Sequence, residues 1–392
     1  MHSIFLAKHR DKRLRAGHPW VFSNEITQID GSPAIGDLVR VCRMDGAFLG
    51  VGFYHPHSLI AVRLLTRRDQ AIDRNFFRNR LIQSIRSRRM VYPNADALRL
   101  VHSESDGLPG LIVDLYSKAV SIQVNSAGME RQLDVIASLI DELLEPEVIV
   151  LRNDSGLRTL EGLPLEQRVW SGNPDAVRQQ IHEDDVAYEM DALNGQKTGF
   201  YLDQRENRMA FARFVNEGDH VFDAFCNEGG FAIHAAKSGA ARVVAADQSA
   251  DVLQRAANNT KLNGVDSRIL FRQADLMREM SSILAENTFD AINLDPPNFT
   301  RSKKNVGTAR QAYRRLHQAA IEHLKPGGIL ATSSCSHHIT EQTFLESVHL
   351  AAERSGKMLK ILYRGSHPID HPVLLGMPET EYLKFFVFQV AE

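Results

Sequence analysis

The stretch HVFDAFCNEGGFAIHAAKSGAARVVAAD, His220–Asp247, contains the features that decide the fold of this chain. An apolar strand, HVFDAF, runs into the glycine pair Gly229 and Gly230, and a helical segment then leads to a second apolar strand that ends at Asp247. A strand, a tight turn, a helix and another strand form one unit of a parallel sheet that is covered by helices. The sequence therefore predicts an open α/β sheet here.

The same alternation continues towards the C-terminus. RILFRQAD, FDAINLDPP and GILATSSC have the pattern of further strands, and the helical segment ADVLQRAANNTKLNG and a long helix that ends near Leu324 separate them. Strands that alternate with helices favour a mostly parallel, Rossmann-like sheet with helices on both faces. We assign this α/β architecture to residues 194–392.

The part of the chain before residue 194 has a different pattern. Residues 1–72 contain short alternating segments such as DLVRVCRM and FLGVGFY with glycines between them, which is typical of a small β-barrel. Residues 73–193 begin with a segment of helical spacing and continue with strands around a helical stretch, MERQLDVIASLIDELL. We predict a β module at 1–72, a linker helix and α+β central domain at 73–193, and the α/β domain at 194–392.

The composition excludes several classes of protein. A chain of 392 residues with 43% hydrophobic and 24% charged residues is typical of a soluble protein of two or three domains. No uncharged apolar run reaches the ~18 residues that span a bilayer, and no signal peptide is recognisable, so we expect a cytoplasmic protein without a membrane partner. Cys42, Cys226 and Cys335 have no metal-ligand spacing, so no metal site is predicted.

The net charge of −2 excludes a protein whose whole surface binds nucleic acid, so any such surface is local. Residues 60–90 contain nine arginines and two aspartates, and residues 301–315 contain six basic residues and no acidic one. A charge run is either a solvated helix face or a phosphate-binding face, and the first stretch fits both. Its candidate phosphate contacts are Arg86, Arg88 and Arg89.

Acidic residues end two successive strands of the predicted sheet. Ligands of an open parallel sheet bind beyond the carboxyl ends of its strands, where the glycine turn lets the backbone approach them. Asp247 follows that turn at the distance, about 20 residues, at which an acid can accept ribose hydroxyls, and Asp275 could accept the amino group of adenine. An acid at a strand end also serves as a helix cap, and Ser249 or Asp247 could cap the next helix. Together these features predict a nucleoside pocket.

The glycine turn also indicates which nucleoside is bound. A nicotinamide dinucleotide needs the spacing G-x-G-x-x-G for its pyrophosphate, and CNEGGF lacks that spacing. S-adenosylmethionine has no phosphate and carries a positive sulfonium, so an acidic loop with fewer glycines suits it better. The turn therefore favours S-adenosylmethionine over a dinucleotide.

Two further motifs close the next strands. In NLDPPNF, residues 293–299, two prolines force an extended rigid turn after Asp295, which would hold the carboxylate and nearby carbonyls at the mouth of the pocket. A turn with only a structural role is the alternative. The last of these strands ends in SSCS, where Cys335 is either an apolar filler or a nucleophile.

These motifs together resemble class I S-adenosylmethionine-dependent methyltransferases. KTGFYLDQR at 197–205, DPPNFTRSKK at 295–304 and the final SCS closely resemble the bacterial ribosomal RNA large-subunit 5-methylcytosine methyltransferase family. HPWVFSNEI at His18–Ile26 is similar to the PUA-type RNA-binding module of that family, and the middle of the chain is similar to its central domain. The resemblance covers essentially the whole chain, and its catalytic motifs are more specific than its N-terminal ones.

The resemblance implies a covalent mechanism on cytosine. Cys335 adds to C6 of the base, which makes C5 nucleophilic enough to take a methyl group, and Asp295 hydrogen-bonds or protonates N3. Cys226 is expected to line the cofactor pocket and Cys42 to fill the core of the β module. No residue is assigned to remove the C5 proton.

The resemblance and the strand-end motifs together give a set of candidate binding residues. The expected cofactor-binding residues are Asp223, Phe225, Asn227, Gly229, Gly230, Phe231, Asp247, Gln248, Asp275, Lys197, Phe200 and Arg205. The expected substrate-binding residues are Pro296, Pro297, Asn298, Phe299, Arg301, Lys303, Lys304, Arg86, Arg88 and Arg89. The target base has to leave its stack to reach Cys335, so we expect a single-stranded or flexible RNA element.

Several functions remain open at this point. One alternative is an RNA methyltransferase that acts on a guanine nitrogen and uses no thiol, and another is a 5-methyluridine enzyme with the same thiol chemistry. A third is a non-catalytic RNA-binding protein with this fold. The expected partner is ribosomal RNA, assigned to the 23S molecule, and a homodimer is a further candidate assembly.

Overall fold

The computed structural model describes residues 1–300 and 302–391, and the chain divides into two compact units. The first unit contains Met1–His182, Met190–Leu202 and Ile369–Thr380, and the second contains Glu183–Glu189, Asp203–Pro368 and Glu381–Glu392. Among the helices of these described ranges, none combines the length and the apolarity needed to cross a membrane. The division into three domains at 1–72, 73–193 and 194–392 stays a prediction.

A six-stranded sheet forms the N-terminal part of the first unit. Its strands are β1 (His2–Leu6), β2 (Trp20–Phe22), β3 (Ile26–Asp30), β4 (Leu38–Arg43), β5 (Phe48–Tyr54) and β6 (Ile60–Thr66), with helix α1 (Lys12–Arg15) between β1 and β2. The strand order is β2-β6-β5-β4-β1-β3, and β1 and β4 pair in parallel while the other neighbours are antiparallel. Alternate residues such as Val39 and Val41 are buried, as the period of a strand requires. The β module predicted from this alternation is therefore present.

Four helices and a second sheet follow in the first unit. They comprise α2 (Arg74–Val91), β7 (Ala97–His102), β8 (Leu111–Tyr116), β9 (Ala119–Val124), α3 (Ala127–Glu130), α4 (Leu133–Leu144), β10 (Val148–Asn153), α5 (Leu157–Leu160) and β11 (Glu166–Gly172). The strand order is β11-β10-β9-β8-β7. The helical stretch predicted over MERQLDVIASLIDELL is confirmed, and Gln132, with φ −103° and ψ 2°, divides it between α3 and α4.

The chain continues through a hairpin into the seven-stranded sheet of the second unit. The remaining strands of the chain are β12 (Arg178–Glu183), β13 (Val186–Asp191), β14 (His220–Ala224), β15 (Arg242–Asp247), β16 (Ile269–Gln273), β17 (Phe289–Leu294), β18 (Leu324–Ser334), β19 (Met358–Gly365) and β20 (Lys384–Ala391). The remaining helices are α6 (Arg205–Ala212), α7 (Gly230–Lys237), α8 (Ala250–Leu262), α9 (Leu276–Leu284), α10 (Val306–His323) and α11 (Glu341–Arg354). The hairpin is β12-β13, and the large sheet has the order β16-β15-β14-β17-β18-β20-β19.

The large sheet has the mostly parallel architecture predicted from the sequence. The five strands from β16 to β18 pair in parallel, and β20 is antiparallel to both of its neighbours. The strand order reverses between β14 and β17, because the chain builds outward from β14 to β16 and then returns to the other side of β14. Ligands of such sheets bind at the carboxyl ends of the strands beside this reversal. The fold therefore places the site at the ends of β14 and β17.

Helix α2 carries much of the arginine-rich segment and buries one of its arginines. Arg88 is only 3% exposed, because it follows Phe77, Leu81 and Ser84 on the face of α2 that packs inward. Its guanidinium makes two hydrogen bonds of 2.6 Å to the carboxylate of Asp106. The prediction that Arg88 contacts RNA phosphates is therefore wrong, since the side chain is already used inside the protein.

The two neighbouring candidate arginines differ from Arg88. Arg86 is exposed, and Arg89 is half-buried and donates to the backbone oxygen of Ala95 at 2.6 Å. Their proposed contact with RNA stays a prediction.

Replacing Arg88 with glutamine is expected to destabilise the first unit, because the buried Asp106 would keep its charge without a counter-ion. Breaking a buried ion pair costs about 3–5 kcal/mol. Denaturant unfolding measures this change. The exposed Arg86 lies on the same helix, and Arg86→Gln should change the free energy of unfolding by less than about 0.5 kcal/mol. Equal stability of the two variants would contradict this account of Arg88.

Candidate active site

The turn after β14 has an unusual backbone. Phe225, Asn227 and Gly229 have positive φ values of 60°, 48° and 85°. Gly229 adopts this left-handed conformation without cost, whereas Phe225 and Asn227 are held in it by their surroundings. The backbone nitrogen of Asn227 donates to Asp247 Oδ2 at 3.2 Å. A Cβ atom at Gly230 would lie 2.6 Å from Cδ of Arg208, so this position also requires glycine.

Asp223 shapes this turn from inside the protein. Its side chain is fully buried, accepts a hydrogen bond of 2.9 Å from Asn293 Nδ2 and accepts another of 3.0 Å from the backbone nitrogen of Ala232. Burial raises the pKa of Asp223 to about 7, and the charges of Asp295 and Asp247 contribute to this rise. Asp223 therefore holds β14, β17 and the start of α7 together and is not exposed to a ligand.

The two acids at the ends of β15 and β16 lie where the sequence predicts them. The half-buried Asp247 accepts hydrogen bonds from the backbone nitrogens of Asn227 and of Ser249, the latter at 3.1 Å. Ser249, and not Asp247, caps α8, whereas Asp275 caps α9 by accepting from the backbone nitrogen of Met277 at 3.1 Å. A helix-capping role therefore explains the position of Asp275 but not that of Asp247.

These groups fit the expected cofactor. Asn227 Oδ1 is buried and has no hydrogen-bond partner within the part of the chain that the structure describes. Gln248 is exposed beside Asp247, and Phe225 is half-buried in the turn. The site thus combines an unpaired amide oxygen and a ribose-type acid with a glycine turn, at the position where an adenosine is expected.

Several residues of the predicted cofactor set lie in the protein core. Phe231 is buried, and its ring stacks on Phe385 with a centroid distance of 6.0 Å. Phe200 is also buried, and its backbone nitrogen donates to the hydroxyl of Tyr116 at 3.2 Å. The prediction that these two rings contact the cofactor is not supported, because the core already covers them.

The KTGFYLDQR stretch is divided between the two units. Lys197 belongs to the first unit, where it is exposed with Nζ 4.1 Å from the centre of the Tyr201 ring. Arg205 is buried at the start of α6 in the second unit. Their predicted contacts with the cofactor stay predictions.

Asp295 follows β17 and is half-buried. Its Oδ1 atom accepts a hydrogen bond of 2.9 Å from Gln204 Nε2 and a short hydrogen bond from Ser333 Oγ. Sequence reasoning missed Gln204 and Ser333, although Gln204 lies within KTGFYLDQR and Ser333 lies two residues before Cys335. The carboxylate is thus fixed in one orientation at the end of the strand next to β18.

The serines on both sides of Cys335 hold its loop in place. Ser334 Oγ accepts a hydrogen bond of 2.8 Å from the hydroxyl of Tyr313, and Ser336 Oγ donates to Asn298 Oδ1 at 2.8 Å. Burial raises the pKa of Tyr313 to about 12, so the hydroxyl stays a donor. Cys335 itself is partly exposed, whereas Cys226 and Cys42 are buried. The structure therefore links the SCS loop to the DPPN turn and exposes only Cys335 among the three thiols.

Lys384 is a further residue beside Cys335 that sequence reasoning missed. It begins β20 opposite Ser334, and its Nζ donates to the backbone oxygens of Ser336 and Ile339 at 2.9 and 2.8 Å. Burial lowers the pKa of Lys384 to about 8, and the charge of Cys335 acts in the opposite direction by favouring the ammonium. A cation beside a thiol favours the reactive thiolate.

The predicted RNA-binding residues after Asp295 have different environments. Pro297, Asn298 and Lys304 are exposed, Phe299 is half-buried against the ring of Tyr313 at 4.9 Å, and Pro296 is buried. Arg301 and the side chain of Lys303 lie outside the described residues. The exposed members can contact a substrate, and their role stays a prediction.

Known sequences resemble this chain over its whole length. The profile of an S-adenosylmethionine-dependent methyltransferase family matches residues 151–374, and the profile of a PUA-like domain matches residues 4–67. The protein named ribosomal RNA large subunit methyltransferase I from Vibrio cholerae serotype O1 is 37% identical over 397 residues, which cover 99% of each chain. Its namesake from Aeromonas hydrophila is 38% identical over 391 residues, which cover 98% of each chain.

Solved structures resemble the fold. A candidate S-adenosylmethionine-dependent methyltransferase from Streptococcus mutans has a TM-score of 0.84 and 18% identity over the whole of both chains. A candidate methyltransferase that was solved with SAH has a TM-score of 0.85 and 19% identity, also over the whole of both chains. At these identities the likeness supports the fold. The predicted Rossmann-like domain and PUA-type module are confirmed, and the family profile confirms the cofactor as S-adenosylmethionine.

Lys384→Met is expected to move the alkylation of Cys335 by iodoacetamide to higher pH, because the thiolate loses a neighbouring cation. Since the pKa of Lys384 is about 8, the difference from the wild type should be largest below pH 8 and shrink above it, where the wild-type amine is neutral. Mass spectrometry of the modified peptide at a series of pH values measures the rate.

Two variants control this experiment. Lys384→Arg keeps the positive charge and should follow the wild type below pH 8, where the lysine is also charged. Lys360→Met removes an exposed lysine of β19 and should keep the wild-type profile. A Lys384→Met profile that coincides with that of the wild type would show that the ammonium does not act on the thiol.

Proposed function

Because the chain belongs to the S-adenosylmethionine-dependent methyltransferase family that includes ribosomal RNA large subunit methyltransferase I, we propose that it forms 5-methylcytosine in 23S ribosomal RNA. The observation that carries the cytosine-C5 chemistry is the environment of Cys335. This thiol is partly exposed at the end of β18, the lysine ammonium of Lys384 lies beside it, and Asp295 ends the neighbouring strand β17.

The chain's own residues hold the cofactor at the end of the sheet. S-adenosylmethionine supplies an electrophilic methyl group when it is bound. Asp247 accepts hydrogen bonds from the ribose hydroxyls, and Asp275 accepts from the adenine amino group. Asn227 Oδ1, which is buried and unpaired among the described residues, is a further acceptor. Asp223 keeps the glycine turn in the geometry that these contacts need.

Cys335 activates the base by forming a bond to it. The thiolate attacks C6 of cytosine, and the electron pair of the C5–C6 double bond moves through the ring towards N3, where Asp295 provides a proton or a hydrogen bond. C5 is then the carbon of an enamine and can take the methyl group. Loss of the C5 proton restores the double bond and expels the thiolate, so that one methyl group replaces one proton.

The geometry around Asp295 suits this role. Gln204 and Ser333 both donate to Oδ1, which fixes the orientation of the carboxylate at the end of β17. The hydrogen bond between Ser336 and Asn298 keeps the SCS loop and the DPPN turn together. A flat base between Asp295 and Cys335 therefore meets two groups whose positions are fixed before it binds.

The substrate is an RNA element whose base can leave its stack. Pro297, Asn298 and Lys304 are exposed after Asp295 and are proposed to contact the flanking nucleotides. The PUA-like domain at residues 4–67 supports a further contact with RNA. The same proposal includes three further features: domain boundaries at residues 72 and 193, a cytoplasmic location and a homodimer.

Cys335→Ala is expected to abolish methyl transfer to RNA while S-adenosylmethionine still binds, because the thiol attacks the base and not the cofactor. Transfer of a labelled methyl group to RNA from cells that lack the enzyme measures activity, and mass spectrometry identifies the labelled nucleoside. Cys42→Ala, at a buried position of β4, should keep full activity.

The product separates the alternatives. Full activity of Cys335→Ala would assign the protein to the enzymes that methylate a guanine nitrogen. If Cys335→Ala is inactive and the wild-type protein forms 5-methyluridine, the thiol mechanism stands but the target base is uridine and not cytosine. A wild-type protein that binds RNA but transfers no methyl group would indicate a non-catalytic RNA-binding protein.

Asp247→Ala is expected to weaken S-adenosylmethionine binding, because a charge-assisted hydrogen bond to the ribose contributes about 1.5–3 kcal/mol. Isothermal titration calorimetry measures the affinity. Asp251→Ala, at an exposed position in the first turn of α8, removes the same charge nearby and should leave the affinity unchanged. An unchanged dissociation constant in Asp247→Ala would remove this residue from the pocket.

A further inference from the structure

The first unit contains a groove of about 890 Å³ that is separate from the methyl-transfer residues of the second unit. One wall is the exposed face of α2, and the other walls come from the segment after β6 and from the loop after β7. Its lining contains three arginines and four side-chain amides together with six apolar side chains.

The α2 wall presents a regular row of uncharged polar side chains. Asn75, Asn79, Gln83 and Ser87 line the groove at intervals of four residues, and all four are exposed. Residues at this spacing lie on one helix face and rise about 6 Å per step, so the row is about 18 Å long. Within the described part of the chain, the amides of Asn75, Asn79 and Gln83 make no side-chain hydrogen bond and are available to a ligand.

The acidic residues of the groove are already neutralised. Glu104 pairs with Arg63 at 2.9 Å, and Asp106 pairs with Arg88 at 2.6 Å. Asp73 accepts a hydrogen bond of 2.9 Å from the backbone nitrogen of Phe76 and caps α2. Because these carboxylates already have partners, they do not neutralise the remaining arginines of the groove.

Three groove arginines have no acidic partner among residues 1–300 and 302–391. They are Arg67, Arg68 and Arg80. Arg67 donates to the backbone oxygens of Leu14 and His18, at 2.5 and 3.2 Å, and Arg80 donates to that of Leu65 at 3.3 Å. Burial lowers the pKa of Arg80, and the positive charge of Arg68 lowers it further. The guanidinium groups of Arg68 and Arg80 therefore repel each other in this groove.

The same segment also contains arginines with ordinary surface partners. Arg74 of α2 is exposed and Arg78 is half-buried, and both pair with Glu142, at 3.0 and 3.3 Å. Arg74 and Arg78 are thus paired and lie outside the groove, whereas Arg67, Arg68 and Arg80 line it without an acidic partner among the described residues. Unpaired cations that lie near one another indicate a site for an anion.

We propose that this groove binds the phosphodiester backbone of the RNA substrate and that the amides of α2 contact the adjoining nucleotides. This inference rests on the proposed function and adds a second RNA contact to it. Guanidinium groups are well suited to phosphate oxygens, and side-chain amides form hydrogen bonds with sugars and base edges. A row about 18 Å long is larger than a single phosphate ion requires, which favours a strand of several nucleotides.

The test uses the full-length protein and a fluorescent single-stranded RNA, without S-adenosylmethionine. Fluorescence anisotropy at several salt concentrations gives the affinity and its salt dependence. In Arg68→Gln/Arg80→Gln the slope of log K against log salt should fall by about 0.7 for each lost contact, and the affinity should fall roughly tenfold or more at low salt. Arg74→Gln/Arg78→Gln removes the same charge from the same segment outside the groove and should keep the wild-type slope.

A second variant guards against a folding defect. Gln83→Glu adds a negative charge at an exposed groove position, and it should weaken RNA binding without changing the thermal unfolding temperature. Equal salt slopes in the groove and control pairs would overturn the inference, as would displacement of the RNA by inorganic phosphate at a concentration comparable to that of RNA phosphate. Methyl transfer is assayed separately, so its absence would refute the proposed function and leave the groove result standing.

Discussion

The hydrogen bond between Asn293 and Asp223 is the interaction on which the candidate active site depends. The two residues are partners in the pairing of β14 with β17, and the bond of 2.9 Å lies in the core at the point where the strand order reverses. The other oxygen of Asp223 accepts from Ala232 at the start of α7. One buried carboxylate thus joins two strands and a helix, and the glycine turn and the end of β17 are positioned together.

The reacting groups depend on contacts between loops that are distant in sequence. Asp295 is oriented by Gln204 and Ser333, and the loop of Cys335 is held by Tyr313 and Lys384. Each of these contacts joins residues from different strands or helices of the second unit. In the proposed mechanism, such contacts hold the thiol in place before the substrate arrives, which reduces the entropy that is lost when the base binds.

The arginines of the first unit show that one residue type serves two purposes here. Arg88 is a structural residue, since its guanidinium neutralises Asp106 inside the fold. Arg68 and Arg80 lie in the groove, where the neighbouring carboxylates already have partners. The buried pairs thus have a second effect, because they remove the negative charge that would otherwise compete with an anionic ligand. Structural ion pairs and the proposed RNA-binding groove thus come from the same arginine-rich segment.

The sequence by itself determined the elements and the class of chemistry. Alternation of strands and helices predicted the sheet, the glycine pair and Asp247 predicted a nucleoside site, and DPPNF with SSCS indicated Asp295 and Cys335. These signals are readable because they depend on backbone conformation and on side-chain periodicity, which neighbouring residues control. The split of the predicted helix at Gln132 is an exception, since no glycine or proline marks it.

Only the tertiary structure decided which side chains meet. It buried Arg88, Phe200 and Phe231, which the sequence had assigned to binding, and it brought Gln204 to Asp295 and Lys384 to the loop of Cys335. The charge of an arginine and the spacing of a helix do not reveal which carboxylate lies opposite. Which carboxylate an arginine meets depends on the pairing of strands and the packing of helices that are far apart in the chain. Those contacts decide whether the arginine forms a structural ion pair or is left for the proposed ligand.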